Sequence, residues 1–297
     1  VQFGLDYGIS NSQGQVNATE VSNILRHAAS LGIDTLDCAG AYGDSEQILG
    51  ELLRASHNGA KFNIVSKIPA LTNSQDSIIE YFNQSLLHLQ TDRIDALLFH
   101  QADNLLIHPK KEQLFQQLKT LKKQQLIKRI GVSVYNPNQL ASISQQYPVD
   151  LMQVPLNIFD QRFISKDIIE LCHQKNIKIH VRSLFLQGLL FIEQDRLADY
   201  FTPYKNKLIA FIELAKYLGC TKLTLALAIV AQELPYSLTV KTSDIIEKIV
   251  VGVCSTQQLT EVVEAYQQAK KLSISSDELM ALADQRLGFI NPSLWKP

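Results

Sequence analysis

The segment Ile94-Asp95-Ala96-Leu97-Leu98-Phe99-His100 is a short apolar run that ends in a polar side chain. Strands that are covered on both faces lose the alternation of apolar and polar residues, so such a run predicts a buried parallel strand. The same texture recurs along the chain. We predict seven strands, over residues 33–37, 62–66, 94–99, 130–133, 149–154, 177–181 and 249–252.

Longer stretches with a helical spacing of apolar residues lie between these runs. They predict helices over residues 19–31, 45–55, 74–89, 110–125, 137–145, 165–175, 203–218 and 221–233. Asn17 or Thr19 is expected to cap the first helix, and Pro137 to lie in the first turn of the fifth. Gly32 and Gly219 stand where helices should end.

Strands that alternate with helices are typical of a parallel α/β fold. We predict a (β/α)8 TIM barrel in a single domain over residues 1–297, because the chain shows no linker, repeat or low-complexity tract. The eighth strand is expected between Leu189 and Leu225, and residues 233–246 are expected to form an extra loop. A doubly wound sheet is the alternative, but it usually carries a GxGxxG loop, and this sequence has none.

The composition excludes several classes of function. The formal net charge of -1 leaves no basic field for nucleic acid or an anionic membrane, and no apolar run is long enough to cross a bilayer. The four cysteines show neither CxxC nor zinc-like spacing, so we expect reduced thiols, no bound metal and a cytoplasmic protein. The chain starts at Val1, and we expect further sequence before it.

The informative pattern lies at the ends of the predicted strands, where successive runs deliver a polar side chain. These side chains are Asp37, Lys67, His100, Ser133, Gln153 and Arg182. In a barrel the carboxyl ends of the strands meet at one face, and barrel enzymes hold their active sites there. We therefore expect these residues to share a site.

Tyr42, which follows the first strand, suggests the chemistry of this face. A tyrosine hydroxyl has a pKa of about 10, and a neighbouring ammonium such as Lys67 lowers that pKa. Asp37 would keep the ammonium charged, and His100 would orient a carbonyl oxygen by a hydrogen bond. Each residue alone has an ordinary structural role, but the four together predict a tuned proton donor beside an oxyanion site.

These residues resemble the aldo-keto reductase family. The segment GIDTLDCAGAYGDSE, residues 32–46, is similar to the family signature, in which an Asp and a Tyr five positions apart are catalytic. IVSK at 64–67 and DALLFH at 95–100 are similar to the strands that carry the family's lysine and histidine. Similar segments follow in the family's order at residues 130–135, 153–157, 183–190 and 251–259, so the resemblance covers nearly the whole chain.

The resemblance implies reduction of a small-molecule aldehyde or ketone, with hydride from NADPH and without a metal. It makes Tyr42 the general acid, Lys67 its pKa partner, Asp37 the group that holds Lys67, and His100 the group that orients the carbonyl. Ser133 and Gln153 would bind the nicotinamide carboxamide. The resemblance also places Arg182, Ser183, Gly188, Gly252, Ser255 and Gln258 in cofactor segments.

Arg182 departs from the family pattern, since an aromatic residue stacked on the nicotinamide is usual at this position. A guanidinium is planar and could replace that ring. Beside a nicotinamide that becomes cationic, its charge calls for an anion, on the protein or on the substrate. The alternative is that Arg182 is a structural residue paired with a nearby acid such as Asp160.

The segment after Gly252 also departs from the pattern, because the family usually offers Arg or Lys there to the 2′-phosphate of NADPH. No Lys or Arg occurs between Ile249 and Ala269. Ser255 and Gln258 have the S-x-x-Q spacing of a capping box, and a helix N-terminus attracts phosphate. We expect NADP(H) from the resemblance and leave NAD(H) open. Discrimination should be weak or should depend on a residue outside this segment.

Two other functions stay open. A non-catalytic nucleotide-binding or regulatory subunit could use the same barrel, although Asp37, Tyr42, Lys67 and His100 argue against it. A Schiff-base aldolase could use Lys67, although the acid and the tyrosine near it are typical of a reductase. The loops that set specificity carry no recognisable chemistry, so neither the substrate nor the oligomeric state is predicted.

Overall fold

The computed structural model describes residues 3–6, 9, 14–55, 62–72, 77–233 and 240–295. Seven strands in this part of the chain form one sheet: β1 (Thr35–Asp37), β2 (Asn63–Ile68), β3 (Ile94–Phe99), β4 (Ile127–Ser133), β5 (Leu151–Pro155), β6 (Lys178–Arg182) and β7 (Ile246–Ile249). Each strand pairs in parallel with the next one along the chain. This order is that of a barrel, and it excludes the doubly wound alternative, whose strand order reverses at a switch point.

The described helices cover the outer face of the sheet. They are α1 (Ala18–Ser30), α2 (Ser45–Ala55), α3 (Ile78–Leu89), α4 (Asp103–Leu106), α5 (Lys111–Lys123), α6 (Pro137–Gln146), α7 (Lys166–Gln174), α8 (Lys205–Tyr217), α9 (Lys222–Ala231), α10 (Thr242–Ile245), α11 (Thr256–Ala269), α12 (Ser276–Ala281) and α13 (Leu287–Ile290). Of the predicted loop at 233–246, residues 234–239 lie outside the described part, and α10 occupies its end.

The residues predicted to begin or end α1, α6 and α8 are confirmed in these roles. Asn17 caps α1, since its side chain accepts a hydrogen bond from the Glu20 N–H, and Pro137 opens α6. Gly32 and Gly219 follow α1 and α8 with φ angles of 76° and 63°, a left-handed conformation that glycine adopts readily.

The prediction of an eighth strand between Leu189 and Leu225 is wrong. β6 pairs directly with β7, with Val181 opposite Ile249, so no strand lies between them. The residues between Leu189 and Leu225, all of them described, form 3-10 turns, α8 and the start of α9.

The open position in the sheet lies instead between β7 and β1. There Lys248 Nζ is 2.6 Å from Asp34 Oδ1, which ties the two ends of the sheet together. At the start of the chain, Gly4 forms a parallel bridge with Gly43 just after β1.

β7 begins and ends three residues before the predicted range, 249–252. Charged residues in the strand explain the difference. Glu247 accepts hydrogen bonds from Arg129 and His180, and Lys248 pairs with Asp34. These partners lie far away in the sequence, so an apolar run indicates only the end of the strand.

Within the described residues, no single helix is long and apolar enough to cross a membrane. One bent pair of segments, Asp199–Tyr217 and Lys222–Ala231, has sufficient length and apolar composition when the two are taken together, with a bend of 92°.

Candidate active site

Strand register places three of the predicted site residues on one face of the sheet. Asp37 pairs with Val65, and Lys67, two residues further along β2, pairs with Leu98. His100 lies two residues beyond Leu98, directly after β3. Side chains two residues apart in a strand point to the same face. Asp37, Lys67 and His100 therefore share the inner face at its carboxyl end.

The same register continues through the later strands. Leu98 pairs with Gly131 in β4, and Ser133 lies two residues beyond Gly131. Ser133 pairs in turn with Gln153 in β5. Gln153 pairs in turn with His180, two positions before Arg182 in β6. Ser133, Gln153 and Arg182 thus extend the same row of inward side chains.

Lys67 is buried at the centre of the site, with 1% of its surface exposed. Its Nζ donates hydrogen bonds to Asp37 Oδ2 at 2.6 Å and to the Cys38 carbonyl oxygen at 2.8 Å. Burial alone would lower the pKa of Lys67, but Asp37 and Tyr42, with Cys38, together leave this pKa raised. Burial would likewise raise the pKa of Asp37, but Lys67 leaves it lowered. The pair therefore stays ionised.

Tyr42 lies in the loop after β1, with its ring 5.1 Å from Lys67 Nζ and edge-on to the His100 ring at 5.6 Å between centroids. Burial raises the pKa of Tyr42, and Lys67 offsets this only in part. The net direction is opposite to the one expected from Lys67 alone, because desolvation of the phenolate outweighs the ammonium. The hydroxyl is therefore protonated at neutral pH.

His100 carries no charge at neutral pH. Burial lowers its pKa to about 4, and the positive charges of Lys67 and Arg182 add to this effect. A neutral imidazole has one N–H donor and one acceptor nitrogen. His100 can therefore donate a hydrogen bond to a carbonyl oxygen without protonating it.

Gln153 touches the buried ion pair, a contact that the sequence did not indicate. Its Nε2 donates to Asp37 Oδ1 at 2.7 Å, while Lys67 holds the other carboxylate oxygen. Asp37 is thereby fixed through both oxygens, and with it the position of Lys67.

Arg182 lies beside this group and has neutral partners in the described part of the chain. Its guanidinium stacks on Tyr135, with Cζ 4.3 Å from the ring centroid. It donates to the hydroxyl oxygens of Ser133 at 3.3 Å and Ser183 at 3.2 Å, and to the Val134 carbonyl oxygen at 3.1 Å. Tyr135 was missed as a site residue, although it lies two residues after β4 and within the family-like segment 130–135.

The alternative pairing of Arg182 with Asp160 is wrong. Asp160 is buried and bound by Arg162, with Nε at 2.7 Å from Oδ1 and Nη2 at 2.8 Å from Oδ2. Asp160 is thus already paired with Arg162 and is not the partner of Arg182.

The turn after β6 holds several residues in the left-handed region. Ser183, Leu186 and Gln187 have φ angles of 62°, 47° and 54°, and Gly188 has 94°. Asn157 Nδ2 supports the turn by donating to the Ser183 carbonyl oxygen at 3.3 Å. Left-handed non-glycine residues are strained, and such residues cluster at ligand sites.

Gly252, Ser255 and Gln258 form a separate group at the start of α11. Ser255 caps the helix as predicted, since its Oγ accepts from the Gln258 N–H at 3.1 Å. In a capping box the Gln258 side chain would accept a hydrogen bond from the Ser255 N–H. It accepts from the Cys254 N–H instead, with Oε1 2.8 Å from that nitrogen. No hydrogen bond among the described residues joins this group to Asp37, Tyr42, Lys67 or His100.

Glu46 is a buried carboxylate behind Lys67 that the sequence analysis did not single out. It is 2% exposed and accepts a hydrogen bond from Ser66 Oγ at 2.5 Å. It lines a cavity of about 120 Å³ together with Lys67, Ser85 and His88. In the described residues no group of three His, Cys, Asp or Glu side chains could hold a metal ion.

Comparisons with known proteins agree with this geometry. The family model described as Aldo/keto reductase family matches residues 3–281 of this chain. The chain is 27% identical over 215 residues to Oxidoreductase YdhF of Escherichia coli (strain K12), which covers 67% of this chain and 70% of that protein. It is 26% identical over 180 residues to the NAD/NADP-dependent indole-3-acetaldehyde reductase of Schizosaccharomyces pombe (strain 972 / ATCC 24843), covering 58% and 61%.

A solved structure shows the same fold. The holo form of aldo-keto reductase AKR11C1 from Bacillus halodurans superimposes with a TM-score of 0.71 at 19% identity, over 91% of this chain and 89% of that one. The predicted (β/α)8 barrel is therefore confirmed. With a family match over nearly its whole length, the chain belongs to the aldo/keto reductase family.

Proposed function

We propose that this protein reduces an aldehyde or ketone to an alcohol with Tyr42 as the proton donor. As an aldo/keto reductase it is an NAD(P)H-dependent oxidoreductase; the roles of its residues are the proposal. One observation carries it: the buried Asp37–Lys67 pair lies against Tyr42, with His100 edge-on to the phenol.

The Tyr42 hydroxyl holds the proton that the carbonyl oxygen needs. Its raised pKa keeps it protonated at neutral pH, and proton transfer leaves a phenolate beside the Lys67 ammonium. Lys67 cannot turn away, because Asp37 and the Cys38 carbonyl hold its Nζ. The fixed charge stabilises the phenolate as it forms, and this lowers the barrier.

His100 orients the substrate carbonyl in this proposal. Its neutral imidazole faces the Tyr42 ring and donates an N–H toward the oxygen that Tyr42 protonates. A charged imidazolium would compete as the acid, and its low pKa prevents that. Tyr42 and His100 together define where the carbonyl oxygen lies.

The residues on the other side of the site fit a nicotinamide ring. Arg182 and Tyr135 make a flat stacked surface, and Ser133 and Gln153 offer a hydroxyl and an amide to a carboxamide. When bound, the reduced nicotinamide supplies the hydride. We propose that Arg182 supports the ring and that Ser183 and Gly188, in the strained turn after β6, hold the dinucleotide backbone.

The adenosine end of the dinucleotide, which carries the 2′-phosphate in NADPH, is assigned to Gly252, Ser255 and Gln258 at the start of α11. This location is common in barrels, whose phosphate sites use the loops after the last strands and a helix N-terminus. NADP(H) is the form that the family resemblance implies. The segment's lack of Lys and Arg does not favour it over NAD(H).

The remaining assignments are broader. We propose a small-molecule carbonyl substrate, a single domain and a cytoplasmic location. The four cysteines are free, as reducing conditions would leave them.

The function is tested by binding followed by turnover. Titration of NADH and NADPH against protein fluorescence should show saturable binding, which an aldolase would not need. Each aldehyde of a panel should then oxidise the bound cofactor, which is measured as a loss of absorbance at 340 nm. Binding with no turnover on any aldehyde would support the regulatory subunit instead.

A further inference from the structure

The start of α11 is already satisfied by the protein's own oxygen atoms. The Thr256 N–H donates to Glu20 Oε1 at 2.8 Å, across from α1. The Gln258 N–H donates to Ser255 Oγ, and the Cys254 N–H to Gln258 Oε1. The donors that a phosphate would use at this helix end are therefore engaged, one of them by a carboxylate.

Glu20 is held at this place from two sides. Asn23 Nδ2 donates to Glu20 Oε2 at 3.4 Å, on the same helix. A second hydrogen bond joins α1 to α11 one turn beyond Thr256 on α11, where His27 Nε2 and Thr260 Oγ1 are 2.7 Å apart. The carboxylate is thus part of a helix–helix contact.

Glu20 brings a negative charge to this helix start. The Thr256 N–H, followed by the Asn23 amide, lowers the pKa of Glu20, so the side chain is ionised at neutral pH. Asp6 also lies close, since its charge adds to burial in raising the pKa of the Cys254 thiol. The sequence between Ile249 and Ala269 contributes no Lys or Arg to pair with Glu20.

We infer that Glu20 determines cofactor choice and makes the protein prefer NADH to NADPH. The inference rests on the proposed function, in which the adenosine end of the dinucleotide lies at the start of α11. A 2′-phosphate carries nearly two negative charges and would meet the Glu20 carboxylate where it needs a cation. A free ribose has hydroxyls that a carboxylate accepts, as acidic residues do in NAD-binding folds. Glu20 lies outside the segment in which the family places its discriminating residues.

The test is a comparison of dissociation constants, which needs no turnover. NADH and NADPH are titrated into the wild-type protein, Glu20→Gln and Glu261→Gln, with nicotinamide fluorescence as the readout. Gln at position 20 keeps the acceptor for the Thr256 N–H and removes only the charge. Glu261 lies on α11 about a turn from its start, bound to Gln257, so its variant is matched in net charge.

We expect the wild type to bind NADH about tenfold more tightly than NADPH, or better. Glu20→Gln should narrow this ratio by about tenfold, mainly by tightening NADPH, and Glu261→Gln should leave it unchanged. The wild-type penalty on NADPH should shrink as salt is added.

Three results would overturn the inference. One is tighter binding of NADPH than NADH by the wild type. If Arg26→Ala then removes that preference, the phosphate is held by Arg26, which reaches Asn23 at 3.3 Å. A second is an unchanged ratio in Glu20→Gln. In both cases a dinucleotide still binds, so the proposed function survives, whereas binding of neither dinucleotide would overturn both.

Discussion

Burial acts on Tyr42 and His100 in opposite directions, yet both side chains end in their neutral form. It raises the pKa of the phenol and lowers that of the imidazole. Asp37 and Lys67 are ionised and compensate each other at 2.6 Å, whereas the Arg182 guanidinium has neutral partners among the described residues. Each group thus meets the carbonyl in the protonation state that its proposed role needs.

Lys67→Met is expected to reduce activity by about 10² to 10⁴. Without the ammonium, the pKa of Tyr42 rises further, so the alkaline limb of the pH–rate profile of the residual activity should move to higher pH. Lys128→Met, at an exposed lysine, is the control. A residual activity with an unshifted profile would contradict the pairing of Lys67 with Tyr42.

Arg182→Leu tests what the guanidinium recognises. Its partners among the described residues are neutral, so we expect an acidic group on the substrate to supply the missing anion. Losing a charge-assisted hydrogen bond should lower kcat/KM on carboxylate- or phosphate-bearing aldehydes by roughly ten- to a hundredfold more than on neutral ones. Equal losses on both would leave Arg182 as a cofactor platform, and no loss on either would make it structural.

At the scale of elements, the sequence predicts the bounds of a helix or strand where these depend on neighbouring residues. α2 and β3 have the predicted bounds, and the caps at Asn17 and Pro137 follow from single residues. β7 lies three residues before its predicted range because Glu247 and Lys248 pair with residues that are distant in sequence. Contacts between distant segments leave no periodic trace in the sequence.

The same distinction applies to the site. The strand ends indicated Asp37, Lys67 and His100, because the carboxyl ends of parallel strands must meet. The stacking of Tyr135 on Arg182 and the reach of Glu20 to Thr256 depend on how loops and helices pack. The pKa of Tyr42 was expected in the wrong direction because burial cannot be judged from neighbouring residue types.

Gly131 in β4 is expected to tolerate no side chain. A Cβ there would lie 2.7 Å from the Leu151 carbonyl oxygen and 2.8 Å from Leu98 Cγ, inside the sheet. Gly131→Ala should therefore lower the free energy of unfolding by about 1–3 kcal/mol, measured by urea denaturation. Gly252→Ala, where a Cβ meets nothing within 4 Å, should change it little. Equal stability of both variants would show that β4 and β5 adjust freely.

At the scale of the whole molecule, one sheet runs from β1 to β7 and ends in a contact between Lys248 and Asp34. The C-terminal segment packs on this barrel through Trp295, which contacts Phe201 and donates to the Phe289 carbonyl oxygen. These contacts support the proposed single domain.

A single domain should unfold as one unit. The chain has one tryptophan, so its fluorescence reports on the C-terminal segment alone, whereas far-ultraviolet circular dichroism reports on all helices and strands. We expect the two signals to change at the same urea concentration. A fluorescence transition well before the loss of circular dichroism would show that the C-terminal segment unfolds separately.

Tyr42→Phe, measured for both catalysis and cofactor binding, tests whether Tyr42 is the proton donor. The ring remains, so packing against His100 and Lys67 is kept and only the proton donor is lost. We predict that kcat for aldehyde reduction falls by about 10² to 10⁴ while the dissociation constant of the cofactor changes little. A variant that keeps most of its kcat would show that Tyr42 is not the acid.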